Sequence, residues 1–393
     1  MKPVTRVIRP ETILLFLWGA ELIRLAWAFP VLQTVAAWMM AFYVVLSLRG
    51  LRSSTVVFCL PLGLFSAGMA TYLDQWNAVL RGFQNAAVFM AFFGSIVLLR
   101  AIADRRPEIA RTRNMFKALR PEQINGAFLL GAHLIGSILV VGVMAILAPI
   151  LKPDTRNHAR RRAAEACQRG MCLAPLWSPF WVASAFTAQK IPGIPAWEIM
   201  ILGLPLAAIG TIVAYLMFAH GVGMRDLRRA LFGFAPILPP VILCALMIAG
   251  LSSIAGLSSL EALIATVPIL AILSLFKTGI GSVPNTIKDT WRGSGGVRDE
   301  IVVVTLALVL GRVLETTIGE VGPNELIGTL TLPVWVVIAG VIGTITIGSL
   351  VGIHQLISLI LVLLVFKPLA SGISDVVLME AALIGWGFAS MVG

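Results

Sequence analysis

Hydrophobic and polar positions fall along this chain in long blocks. Apolar runs of about 17–25 residues, the length an α-helix needs to cross a bilayer, recur from end to end. Short polar joints separate them. The runs predict spans over 11–29, 31–48, 54–72, 83–100, 168–190, 196–219, 238–256, 258–276, 301–319 and 370–393. Two further apolar segments, 126–150 and 331–366, fit poorly as single spans. No stretch remains for a large soluble domain, so the expected class is an all-α polytopic membrane protein.

Composition sharpens this. Of the 393 residues, 58% are hydrophobic and 12% charged, with mean hydropathy +0.93. A soluble domain carries about a quarter charged residues. The net charge of +11 sits in the joints, where positive side chains set topology and meet anionic head groups. Nucleic acid is therefore not an expected partner. The four cysteines, Cys59, Cys167, Cys172 and Cys244, form no C-x-x-C pair, and neither a disulfide framework nor a metal site is expected. The opening Met-Lys-Pro-Val-Thr-Arg resembles a signal n-region. The run behind it is long, holds Glu21 and Arg24 and lacks a small-residue cleavage site, so it reads as a retained helix, residues 1–30.

Basic residues also decide how 126–150 lies. Arg100, Arg105, Arg106, Arg111, Arg113, Lys117 and Arg120 precede it; Lys152, Arg156, Arg160, Arg161, Arg162 and Arg169 follow. Cytoplasmic loops collect such residues, and a re-entrant hairpin keeps both clusters on that side. The N-terminus is then cytoplasmic, as is a linker at 220–237. The run 156–162 reads as an amphipathic surface helix, and Gly279–Asn285 as a cytoplasmic turn. Gly348-Ser-Leu-Val-Gly-Ile-His354 interrupts 331–366, which reads as a second hairpin, entering from outside.

Residues 131–137 and 352–358 both follow G-x-H-x-x-x-S. On this pattern the chain divides into two inverted repeats of five spans, 31–219 and 238–393, each with a hairpin and a broken helix (168–190 and 370–393). The Trp177-Ser178-Pro179-Phe180 break has no second copy before Gly393. The second repeat is therefore expected to be incomplete, lacking its last half-helix and final span; the alternative is a shorter protein ending there. This plan resembles the ion transporter superfamily of secondary carriers. That group includes divalent-anion/sodium symporters, citrate and arsenite permeases and the large membrane subunit of TRAP transporters. The Ser-Asn-Thr type signatures of dicarboxylate carriers are absent, so the resemblance implies no particular substrate.

Broken helices expose half-helix ends that hold anions on N–H groups and cations on carbonyls. The expected substrate- or ion-binding residues are Gly131, His133 and Ser137 at the first hairpin tip, Ser178 and Pro179 at the break, and Gly352, His354 and Ser358 at the second tip. The glycines allow tight turns, and each serine lies one helical turn from its histidine, within reach of a hydrogen bond. Each histidine serves either an anion or proton, or the tip's own carbonyls. Glu315 is the candidate coupling carboxylate, although Arg312 at i, i+3 neutralises it, as Arg24 does Glu21. Asp375 and Glu380 rank below it. The function expected is a secondary active transporter of a small anionic solute, driven by sodium or protons through elevator-like alternating access in a bacterial inner membrane. The partners are solute and bilayer, with a homodimer as the candidate assembly and no cofactor beyond a coupling Na+. The alternatives are a non-transporting or inactive component and, behind it, an enzyme on a lipid-linked substrate, which would call for acids spaced as in D-x-x-D. None is present, and the chain is expected not to be an enzyme.

Overall fold

A computed structural model describes residues 9–27, 29–103, 105, 124–139, 147, 151, 156–191, 193–218, 238–321, 332–369 and 372–392. These form helices α1 (Pro10–Ala26), α2 (Pro30–Ser47), α3 (Ser53–Tyr72), α4 (Trp76–Ala103), α5 (Ile124–Leu139), α6 (Asn157–Leu173), α7 (Val182–Lys190) and α8 (Ala196–Phe218). They continue with α9 (Leu238–Ile254), α10 (Ser259–Thr278), α11 (Val283–Ser294), α12 (Arg298–Val321), α13 (Val334–Leu350), α14 (Gln355–Leu369) and α15 (Asp375–Val392). There is no strand among the described residues.

Among the described residues six stretches are long and apolar enough to cross a membrane: 30–50, 53–72, 76–103, 196–218, 283–318 and 375–392. α8 has mean hydropathy 2.2 with only 17% of its span buried. Apolar side chains left outside in such numbers need hydrocarbon around them. The chain is a multi-pass membrane protein. The linker at 220–237, most of the first basic cluster and residues 140–146 of the segment read as the first hairpin lie outside the described residues.

The chain divides into two compact units. One holds residues 1–101 and 267–330, the other 102–266 and 331–393. In the first, α3 packs on α12 and α1 on α2. Its core includes Leu14, Leu17, Met40, Tyr43, Phe89, Met90 and Phe92. Small residues let helices close up: the Trp18 ring lies against Gly94 while its indole N–H donates to Ser95 Oγ at 3.1 Å. Charges pair within this unit. Glu21 meets Arg24 at 2.6 Å, Glu11 meets Arg298 at 2.6 Å and Glu315 meets Arg312 at 3.1 Å.

The second unit is built on two close helix pairs, α5 with α6 and α13 with α15. α6 starts eleven residues before the expected span at 168 and runs unbroken through 156–162's basic face. Ala163, Ala166 and Cys167 bury one stripe of it while the arginines stay outside. α13 and α14 are joined by a turn at 351–354 inside the segment read as the second hairpin. Its geometry is a Schellman cap: Gly352 takes φ +86°, its N–H reaches Ser349 O at 3.0 Å, and Ile353 N–H reaches Gly348 O at 2.8 Å. α15 is continuous over the segment expected to begin a second broken helix.

Candidate functional site

The break between α6 and α7 follows from two prolines. After α6 the chain tightens into a 3-10 turn at Ala174–Leu176, and Ala174 N–H bonds Met171 O instead of Gly170 O. Gly170 loses its helical acceptor role to the next turn. Pro179 has no N–H, so the carbonyl four residues earlier, Pro175 O, also lacks its helical donor. The helix resumes only at Val182.

Side chains fill both openings. Ser184 Oγ donates to Pro175 O at 2.8 Å. His133, on α5, approaches Gly170 O with Nδ1 at 3.3 Å. Its other nitrogen, Nε2, accepts from the Trp177 indole N–H at 3.2 Å. These two bonds select the neutral imidazole with its proton on Nδ1. The imidazole is buried and plugs a broken backbone.

Bonds also run the other way, from the break to carbonyls of α5. Trp181 Nε1–H donates to Gly136 O at 3.0 Å, and Ser178 Oγ–H donates to Ser137 O. Ser178 Oγ also accepts from Phe180 N–H at 3.3 Å. The break and α5 are therefore tied together by bonds in both directions. Gly170 lies so close to Leu129 O and His133 N that a Cβ there has no room, and Gly203 of α8 lies equally close to Leu176 O.

The expected residues fall into three places. Gly131, His133, Ser137, Ser178 and Pro179 converge on this clamp. His133 and Gly131 are not at a tip, however: both lie inside α5, on a helix buried along nearly all its described length. Gly131 is helical there and makes no turn. Nor does Ser137 bond its histidine; its hydroxyl donates to Leu134 O at 2.8 Å, one turn back. Gly352, His354 and Ser358 belong to the α13–α14 turn. There His354 Nδ1 accepts from Leu356 N–H at 3.2 Å and caps α14, while Ser358 lies buried against Gly348. The two G-x-H-x-x-x-S copies thus occupy unlike backbone, one helical and one across a turn. Glu315 is in the other unit, beside Arg312.

A polar bridge that sequence reading missed ties the turn to the clamp. Ser390 of α15 donates to Gln355 Oε1 at 2.9 Å, and its carbonyl accepts from Gln168 Nε2 at 2.7 Å. Gln355 follows His354, and Gln168 lies two residues before Gly170. Trp177 and Trp181 were missed as well; a tryptophan at either side of Ser-Pro in an apolar run was the available signal. Beside the break a small, mostly apolar cleft is lined by Trp177, Pro179, Ser184, Ile199 and Ser259. The N–H groups opening α7 carry partial positive charge and suit an anion. Among the described residues no three His, Cys, Asp or Glu side chains gather as a metal site.

No family model matches the chain, and no curated protein sequence matches it.

Proposed function

We propose that the protein is a secondary active transporter of a small anionic solute, working by elevator-like alternating access on a sodium or proton gradient. The observation that carries this reading is the break at Trp177–Trp181. Non-helical backbone in a membrane protein persists only where protein buries it or it lines a cavity, and in carriers such half-helix ends make the binding site. Here the break is both clamped and next to a cleft, which supplies the positive end of α7 to a solute carrying negative charge.

Support for an inverted-repeat plan comes from the two helix pairs rather than from the G-x-H-x-x-x-S copies. α6 crosses α5 at Gly170, 41 residues after Leu129; α15 crosses α13 at Gly385, 40 residues after Ile345. Both pairs belong to one compact unit, so the clamp, the α13–α14 turn and α15 are suited to moving as one body. That spacing also supports the resemblance to the ion transporter superfamily.

The test is uptake by the full chain in proteoliposomes. Labelled dicarboxylates, tricarboxylates and sulfate are offered under an imposed sodium or pH gradient. Accumulation that collapses when the gradient is dissipated is expected. Equal, gradient-independent uptake in loaded and empty vesicles for every probe excludes the reading.

A further inference from the structure

α15 carries one acid in its interior, Glu380. Its exposure is 5%, and neither carboxyl oxygen has a hydrogen-bond partner or solvent contact among the described residues. The residues one turn away on either side, Val376, Val377, Leu383 and Ile384, are all apolar. Moving an unpaired carboxylate into such a place costs several kcal/mol even after relaxation, on the order of 20 kcal/mol in the idealised limit. A carboxyl group escapes that cost by holding a proton.

The charged groups of the packed elements do not offset it. α13 has no titratable residue, nor has the 3-10 turn at Ala174–Leu176. On α6, His158, Arg160, Arg161, Arg162, Glu165, Cys167 and Arg169 lie toward the other end of α15, since Gln168 bonds Ser390, about 15 Å along the helix from Glu380, and Cys172 lies level with Gly387, about two turns from Glu380. α7 brings Lys190, whose ammonium lies 5.9 Å from the Phe186 ring centre. α14 brings Lys367, whose ammonium donates to Lys190 O at 3.4 Å. α8 brings Glu198 in its first turn and Tyr215 in its last, and α15 itself Asp375 in its first. A sodium ion fits poorly, because it asks for several oxygen ligands and these two oxygens have no polar company. A proton asks for one.

We propose that Glu380 is the proton-carrying carboxylate of this protein, loaded in the conformation described and unloaded when water reaches it. The step is R–COO⁻ + H⁺ → R–COOH, with the proton taken from bulk water on one side and returned to it on the other. This rests on the transporter reading for its role in coupling, but the proton's residence on Glu380 does not.

The experiment has two arms on the reconstituted full chain. Infrared difference spectra on exchange into D₂O are expected to contain the carbonyl stretch of a protonated carboxylic acid at neutral pH, absent from Glu380→Gln. In the transport arm, pyranine trapped in the vesicles reports protons moving with any accumulated anion. Glu380→Gln, which mimics the protonated acid, is expected to keep solute exchange while gradient-driven accumulation falls about tenfold or more. A wild type without the band, or a Gln variant that retains it or still couples protons, overturns the proposal. If the wild type moves no probe anion, the transporter reading falls while the infrared arm still decides where the proton sits.

Discussion

In residues 1–101 and 267–330, acids with little or partial exposure are met by guanidinium groups: Glu21 by Arg24, Glu11 by Arg298, Glu315 by Arg312. In residues 102–266 and 331–393, the corresponding burden is carried by neutral groups. An imidazole, an indole and two serine hydroxyls meet carbonyls of the broken helix and of α5, and Glu380 has no hydrogen-bond partner among the described residues. Ion pairs keep continuous helices together. Neutral plugs let a helix stop and restart inside an apolar unit without a fixed charge at the break.

The largest expected effect strikes the close approach on which the clamp is built. Gly170→Ala places a methyl against Leu129 O and His133 N, both backbone atoms, so α5 and α6 must part. Overpacking costs about 1–3 kcal/mol where side chains can yield, and more where they cannot. The counterpart in the other unit is Gly68→Ala, whose Cβ meets nothing within 4 Å. Thermal unfolding in detergent is expected to drop steeply for the first and stay near wild type for the second. Equal melting temperatures break the comparison at its base.

Next comes the plug itself. His133→Ala leaves Gly170 O and the Trp177 N–H buried without their bonds, a loss of roughly 3 kcal/mol for the two together. Arg298→Ala removes the partner of Glu11, where both side chains keep some solvent contact, and is expected to cost about 2 kcal/mol or less. His133→Asn, which preserves a donor, is expected to recover part of the first loss. The two units differ in kind only if the histidine outweighs the arginine in the same melting assay.

Much of this was legible in the chain. Run lengths in residues 30–50, 53–72 and 196–218 exceed what a soluble helix can hide, so those spans could be read directly. Ser178-Pro179 marked the break because proline removes a donor wherever it stands. Arg312 and Glu315 announced their pairing by spacing alone. His133 was legible as unusual but not as a plug, because the Gly170 carbonyl it serves lies 37 residues away and is freed by a 3-10 turn that no local pattern displays. The matching G-x-H-x-x-x-S letters misled for the same reason: φ at Gly352 is left-handed, while Gly131 is helical. Glu380 was ranked below Glu315, yet the apolar neighbours at i±3 and i±4 were a readable sign that no helix-face partner awaited it.

The finest comparison is between two glutamates, each five residues ahead of the glycine at which its helix crosses a neighbour: Glu165 before Gly170 and Glu380 before Gly385. Glu165 is exposed, and a hydrogen bond from Arg161 at 2.9 Å, aided by Arg169, holds its carboxyl below the usual range. A group depressed on folding stabilises above its unfolded value and loses that contribution as pH falls through its folded one. Glu165→Gln should therefore lower the melting temperature slightly above about pH 5, with the difference from wild type vanishing as acid protonates Glu165. At neutral pH it is ionised, so the same substitution should leave the infrared band of protonated carboxyl untouched. If Glu165→Gln removes that band, the proton belongs to the arginine-flanked glutamate and the contrast between the two positions is reversed.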